Sequence, residues 1–93
     1  MRSYKAAVVA LTNFRYNFPD SEYLEEASYL IVASEYQLAK ISIPSKQVER
    51  YKAVVDHYKE FIDAYPKSNF LKDAEKYYAD SLSKLNSKKN NNI

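Results

Sequence analysis

The side chains that could carry out catalysis are few and scattered in this sequence. His57 is the only histidine, and Asp56 stands beside it. A catalytic base needs a partner that orients it and a pocket that holds a substrate, and the residues around His57 indicate neither. A zinc site needs several histidine, cysteine or carboxylate ligands, whereas this chain has one histidine and no cysteine. We therefore predict that the protein is not an enzyme and binds no metal ion.

The sequence also lacks paired-carboxylate and phosphate-binding motifs. Glu25 and Glu26 are adjacent, so their carboxylates diverge around a helix and suit its N-terminal dipole better than a two-carboxylate reaction. A glycine-rich phosphate loop is excluded, because the chain contains no glycine. The net charge of +2, with acids and bases interspersed, is too balanced for a nucleic-acid-binding surface. We predict no cofactor and no nucleic-acid partner.

Length and composition indicate one helical domain. The chain has 93 residues and is rich in alanine, leucine, lysine, glutamate and tyrosine, most of which favour helix. Apolar residues recur with helical spacing in four segments, which Pro19, Pro44 and Pro66 separate. The predicted helices span about residues 3–17, 21–40, 46–64 and 68–85. The predicted N-caps are Ser21 or Asp20 for the second helix, Ser45 for the third and Ser68 for the fourth. Residues 1–86 form the domain, and we expect the polar residues 87–93 to be a disordered tail.

A seven-residue stretch occurs twice and divides the helices into repeats. Residues 18–24 read Phe-Pro-Asp-Ser-Glu-Tyr-Leu, and residues 65–71 read Tyr-Pro-Lys-Ser-Asn-Phe-Leu. A shift of 47 residues also aligns the flanking segments, with identical pairs that include Phe14 and Phe61. Self-similarity with a period of two helices is the signature of an α-solenoid. We predict an all-α solenoid fragment of four antiparallel helices.

The order of the helices indicates that the outer repeats are incomplete. The chain begins with the second helix of one repeat and ends with the first helix of another, so we expect it to belong to a longer array. Ala6, Val9 and Ala10 widen the apolar face of the first helix. We expect that face to contact a preceding helix or a second copy of the chain.

These motifs resemble a known family. Pro19 and Pro66 stand where tetratricopeptide repeats carry their terminal proline. Residues 18–29 read Phe-Pro-Asp-Ser-Glu-Tyr-Leu-Glu-Glu-Ala-Ser-Tyr, and residues 61–68 read Phe-Ile-Asp-Ala-Tyr-Pro-Lys-Ser. Both stretches resemble the C-terminal tetratricopeptide repeats of the BamD family of outer-membrane lipoproteins, in its Bacteroidetes-type members. The resemblance covers about residues 4–85.

The resemblance implies a non-catalytic scaffold at the periplasmic face of the outer membrane. Membrane contact would then come only through a lipid anchor absent from this chain. The implied partners are the periplasmic domains of the insertase that assembles β-barrel proteins, together with other assembly lipoproteins. The alternative is another periplasmic or cytoplasmic tetratricopeptide adaptor, unrelated to barrel assembly.

Two candidate partner-binding sites follow from the repeat pattern. In tetratricopeptide arrays the first helix of each repeat lines a concave groove. The predicted groove residues are Glu25, Tyr29, Val32, Tyr36, Lys72 and Lys76. The second candidate is the turn before the third helix, with Lys46, Gln47 and Arg50. Each site has an alternative: the aromatic stripe of Tyr29 and Tyr36 packs on a neighbouring repeat, and Arg50 pairs with an acidic residue inside the fold.

Overall fold

Four α-helices make up the structure, a computed structural model that describes residues 3–90. The helices are α1 (Tyr4–Asn17), α2 (Leu24–Ile41), α3 (Pro44–Ala64) and α4 (Leu71–Asn90). No strand occurs in the described part of the chain, and the all-α fold class is confirmed. Because the linking segments are short, consecutive helices that pack together run antiparallel. None of the helices in residues 3–90 is both long and apolar enough to cross a membrane.

The second helix lies at the centre of the fold. α2 packs against α1, α3 and α4, and α3 also packs against α4. Across the described residues, α1 has only α2 as a neighbour. The apolar core therefore lies between α2, α3 and α4. Its fully packed members are Val32, Val54, Tyr58, Phe61 and Ala74.

The two six-residue segments that join the helix pairs have the same backbone geometry. In the first joint, residues 18–23, the amide of Ser21 donates to the carbonyl of Phe18 at 3.1 Å. In the second joint, residues 65–70, the amide of Ser68 donates to the carbonyl of Tyr65 at the same distance. The two copies of the repeated stretch thus fold alike.

Ser21 and Ser68 lie one turn before the helices that the sequence predicts them to cap. Ser21 Oγ accepts the amide proton of Tyr23 at 3.0 Å, and Ser68 Oγ accepts that of Phe70 at the same distance. These bonds order the turn that leads into each helix, so α2 and α4 begin three residues after their serines. Such local hydroxyl-to-backbone bonds compete with helix formation, which explains the delayed start.

Two further helix ends differ from the sequence-based expectation. α3 begins at Pro44, with Ile43 rather than Ser45 at the N-cap. Proline is favoured at the first helical position, because the amide it lacks would have no partner there. α4 continues to Asn90, so residues 87–90 are helical rather than a disordered tail, while residues 91–93 lie outside the described residues. No proline or glycine interrupts this stretch, and lysines near a helix C-terminus favour its continuation.

The internal repeat offers a matched test of the core. Phe61 is 1% exposed, whereas its repeat counterpart Phe14 in α1 is half-buried. We expect Phe61→Ala to lower the free energy of unfolding by about 3–5 kcal/mol, because it leaves a cavity. Phe14→Ala should cost about 1–2 kcal/mol, because less of its surface leaves water on folding. Urea unfolding followed by circular dichroism measures both, and equal losses would contradict this assignment of the core.

Candidate protein-interaction site

The predicted groove stripe on α2 packs against α4 instead of facing solvent. The ring of Tyr29 stacks on Phe70, with centroids 4.8 Å apart and an interplanar angle of 12°. The ring of Tyr36 lies 4.8 Å from that of Tyr77. Val32, between them on the helix, has no exposed surface. The prediction that Val32 contacts a partner is therefore corrected: its side chain is part of the core formed with α3 and α4.

Two hydrogen bonds of 2.6 Å join the ends of this stripe to α4 and to the second joint. The Tyr36 hydroxyl donates to Asp80 Oδ2 on α4, and the Ser68 hydroxyl donates to Glu25 Oε2 on α2. Each involves a carboxylate acceptor, and such charge-assisted bonds are stronger than neutral ones. Burial and the bond to Asp80 raise the pKa of Tyr36, and burial raises the pKa of Tyr29 to about 12. Both phenols therefore stay protonated near neutral pH.

The predicted groove residues on α4 differ in character from those on α2. Lys72 and Lys76 are exposed, and they occupy the repeat positions that Glu25 and Tyr29 occupy on α2. Lys76 Nζ lies 4.0 Å from Asp73 Oδ1, and both side chains are mostly exposed. Exposed pairs of this kind contribute little stability. The aromatic stripe of α2 thus has a polar, solvated counterpart on α4.

The three residues of the predicted turn site have different environments. Lys46 is exposed in the first turn of α3. Gln47 Nε2 donates to the carbonyl of Ala39 at 3.1 Å, which ties the start of α3 to the end of α2. Arg50 is half-buried, and its charge acts on the buried carboxylate of Glu35. Of these three residues, only Lys46 has an exposed charged side chain.

Glu35 is a buried acid that the sequence analysis did not single out. Its side chain is almost fully enclosed, and Oε2 lies 4.0 Å from His57 Nδ1, a separation too long for a hydrogen bond. Burial raises the pKa of Glu35, and the nearby charges of His57 and Arg50 oppose that shift. The position could have been found from the helical period, since Glu35 follows the buried Ile31 by four residues.

A basic cleft forms where α2 ends, α3 begins and α4 ends. Its volume is about 410 Å³. The lining residues are Lys40, Gln47, Tyr51, Lys84, Ser87 and Lys88. Sequence analysis found only Gln47 of this set, because the other residues come together only through the packing of α2 and α4. A cleft with three ammonium groups and no acid in its lining can bind an anionic ligand.

The basic cleft and the exposed Lys46 can bind a partner through electrostatic attraction. No group of three or more histidine, cysteine or acidic residues in the described part of the chain is arranged to hold a metal ion. Neither Glu35 nor His57 lines the basic cleft. The lysines of the cleft and the exposed Lys46 are therefore the candidates for recognition of a partner.

The burial of Glu35 predicts a pH dependence of stability. Because its pKa is raised by folding, the native state binds more protons than the unfolded state just above the ordinary pKa of a glutamate. Stability therefore falls as pH rises through that interval, and the fall is absent in Glu35→Gln. We expect the Glu35→Gln variant to gain stability relative to the wild type between pH 4 and pH 7, as chemical denaturation at each pH measures.

The exposed Glu60 on α3 supplies a control. Its replacement by Gln should give a stability curve parallel to that of the wild type. If the unfolding free energy of Glu35→Gln changes with pH in parallel with that of the wild type, the raised pKa of Glu35 is contradicted. A constant difference in stability between the two proteins does not affect this conclusion.

Comparison with known protein families gives a match over most of the chain. A family model described as outer membrane lipoprotein, YfiO, matches residues 1–89. No curated protein and no solved structure gives a significant match. The matched region contains nearly all of the four helices and confirms the resemblance to BamD-like lipoproteins. It also agrees with the predicted location at the periplasmic face of the outer membrane. The chain belongs to the YfiO family of outer membrane lipoproteins.

Proposed function

We propose that this chain is a non-catalytic protein-binding scaffold of the machinery that assembles β-barrel proteins in the outer membrane. The family match gives the setting, since YfiO proteins are outer membrane lipoproteins without enzymatic activity. The observation that carries the binding role is the basic cleft lined by Lys40, Lys84 and Lys88. The partner that fits it is a protein segment with acidic side chains.

Three lysines give the cleft its positive charge. Lysines near the C-termini of α2 and α4 complement the partial negative charge of the helix dipoles, which amounts to about half a charge at each end. Lys84 stands further from the end of α4, and Asp80, one turn before it, acts on the cleft residue Tyr51 and offsets part of the positive charge. The Lys40 ammonium lies 5.6 Å from the centre of the Tyr36 ring, a cation–π arrangement that holds it at the site.

The proposed partners are the periplasmic domains of the barrel-assembly insertase, with other assembly lipoproteins as further partners. Lys46 stands next to the cleft residue Gln47 and would extend the basic surface. Lys72 and Lys76 on α4 form a second exposed basic pair, and they stay candidate contacts of the same partners. Arg50 acts inside the fold, because its Nε atom is buried.

Charge reversal in the cleft tests this proposal. We expect the double variant Lys84→Glu, Lys88→Glu to bind the purified periplasmic domains of the insertase at least about tenfold more weakly, because two attractive charges become repulsive. Biolayer interferometry measures the dissociation constant. Binding of the wild type should also weaken as salt is raised from 50 to 300 mM, because screening shortens the range of the field.

The control for this test is Lys59→Glu, Lys67→Glu, which changes two exposed lysines elsewhere by the same total charge. It should bind like the wild type. If both double variants lose affinity equally, net charge rather than the cleft is responsible. If neither loses affinity, or the wild type shows no binding, the proposed cleft function is wrong.

A further inference from the structure

The turn at which α2 ends and α3 begins exposes apolar side chains. Ile41, the last residue of α2, is 65% exposed, and Ile43, the N-cap of α3, is 64% exposed. Pro44 is exposed beside them, and Val48 lies one turn further along the same face of α3 and is also exposed. Neighbouring apolar side chains that stay exposed and are rimmed by polar residues mark a surface that binds a protein or a membrane. We name residues 41–44 the apolar loop.

Hydrogen bonds hold the backbone of the apolar loop in place. The Ser42 hydroxyl donates to the carbonyl of Leu38 at 2.6 Å, and the Ser42 amide donates to the carbonyl of Ala39 at 3.3 Å. The amide of Lys46 donates to the carbonyl of Ile43 at 2.9 Å. The loop therefore presents its isoleucines from an ordered backbone.

The packing of the repeats does not require isoleucine at these two positions. The residues 47 positions after Ile41 and Ile43 are Lys88 and Asn90. An isoleucine that leaves most of its surface in water adds little to the stability of the core. The two side chains are therefore available for a contact outside the chain.

Lysines surround the apolar loop, and acidic residues are absent from its neighbourhood in the sequence. The basic cleft opens beside the loop, because Lys40 and Gln47 line it from the end of α2 and the start of α3. No aspartate or glutamate occurs in residues 36–48 or in residues 81–93. The lysines placed at this end of the helices are Lys40, Lys46, Lys84 and Lys88.

The opposite end of α2 combines exposed apolar rings with the reverse charge. The first joint exposes Phe18 and Tyr23, at 58% and 59%. It contains Asp20 and Glu22 and no basic residue, and two further acids follow in the first turn of α2. An anionic surface repels this end and attracts the end that carries the apolar loop. Charge therefore distinguishes the two exposed apolar patches.

We propose that the apolar loop is a membrane-contact site, at which Ile41 and Ile43 enter the surface of an anionic lipid layer while the surrounding lysines bind the lipid headgroups. The family match supplies the membrane, since the chain belongs to the outer membrane lipoproteins. The contact is peripheral, because no helix in residues 3–90 is long and apolar enough to span a membrane. The inference does not rest on the function of the basic cleft, which neither isoleucine lines.

Lysine and isoleucine have complementary roles in such a contact. The long aliphatic stem of a lysine lies along apolar surface while its ammonium group stays in water or among headgroups. Each lysine close to an anionic lipid surface adds electrostatic attraction. Apolar side chains at the same place add the free energy of leaving water. Lys40 before the loop and Lys46 after it allow both contributions to act together.

The composition of the patch favours a lipid surface over a protein partner. The residues that dominate binding at protein interfaces are mostly tryptophan, tyrosine and arginine. Residues 40–48 contain none of these. Membrane attachment through one lipid chain is weak and gains strength from a second contact. The apolar loop would supply that contact beside the expected lipid anchor and orient the scaffold on the membrane.

Co-sedimentation with vesicles tests the proposal on the 93-residue chain. The probes are vesicles of phosphatidylcholine with about 30% phosphatidylglycerol and vesicles of phosphatidylcholine alone. We expect the wild type to bind the anionic vesicles and to bind the neutral ones at least about tenfold more weakly. The double variant Ile41→Ser, Ile43→Ser should bind the anionic vesicles at least about tenfold more weakly than the wild type, although its charge is unchanged.

The matched control is Val9→Ser, Tyr16→Ser, which removes two exposed apolar side chains of α1. It should bind the anionic vesicles like the wild type. Thermal unfolding of each variant establishes that it is folded.

A fluorescent reporter measures insertion directly. The chain has no tryptophan, so Ile43→Trp carries a single one. Its emission should shift to the blue with anionic vesicles and be quenched by brominated acyl chains. The emission of Tyr16→Trp on α1 should show neither change.

Four results would overturn the proposal. They are absence of binding of the wild type to anionic vesicles, unchanged binding of the isoleucine variant, an equal loss in the α1 control, and unchanged emission of Ile43→Trp. If the isoleucine variant keeps its vesicle binding and loses affinity for the insertase domains, the loop belongs to a protein interface instead. The vesicle experiment contains no insertase, so its failure leaves the basic-cleft proposal standing.

Discussion

Insertion of the Tyr29 ring between α3 and α4 is the contact on which the rest of the structure depends. The ring packs near Phe61 of α3, Phe70 of the second joint and Tyr77 of α4. The Glu25–Ser68 hydrogen bond fixes the helix one turn earlier. Aromatic pairs contribute about 0.5–1.5 kcal/mol each beyond the area they bury. Together with the Tyr36–Asp80 hydrogen bond and the Tyr36–Tyr77 ring contact, the Tyr29 contact fixes α2 against α4.

The joints make such a contact repeatable along a chain. Each one uses a proline to end a helix and a serine to order the turn that starts the next, and no residue described in the structure has a positive φ angle. Neither joint therefore needs glycine, which agrees with its absence from the sequence. Repeat proteins gain stability from interfaces between neighbouring units. Here the Tyr29 ring and the Glu25 carboxylate of α2 contact the second joint as part of that interface.

Local patterns were enough to predict the four helices, the two joints and the family. The prolines and the repeated seven-residue stretch lie within a few residues of the helix ends and turns that they specify. The sequence identified the aromatic stripe of Tyr29 and Tyr36 but not its environment. Helical periodicity does not distinguish a face exposed to solvent from a face packed against another helix. The basic cleft depends on α2, α3 and α4 coming together, which no local pattern contains. The burial of Glu35 follows the helical period of α2 and was overlooked. The C-terminal end of α4 was misjudged because polar composition was given more weight than the absence of a helix-breaking residue.

The single neighbour of α1 has a consequence for how the chain unfolds. A helix that touches one other helix, and has none of its described residues buried, opens at a lower free energy than the core around Phe61. Amide hydrogen exchange should therefore be fastest in α1, while α2 and α3 remain protected. Any ligand that holds α1 against α2 raises the free energy of this local opening by mass action. Any contact that holds α1 against α2 would thus be recorded as slower amide exchange in α1.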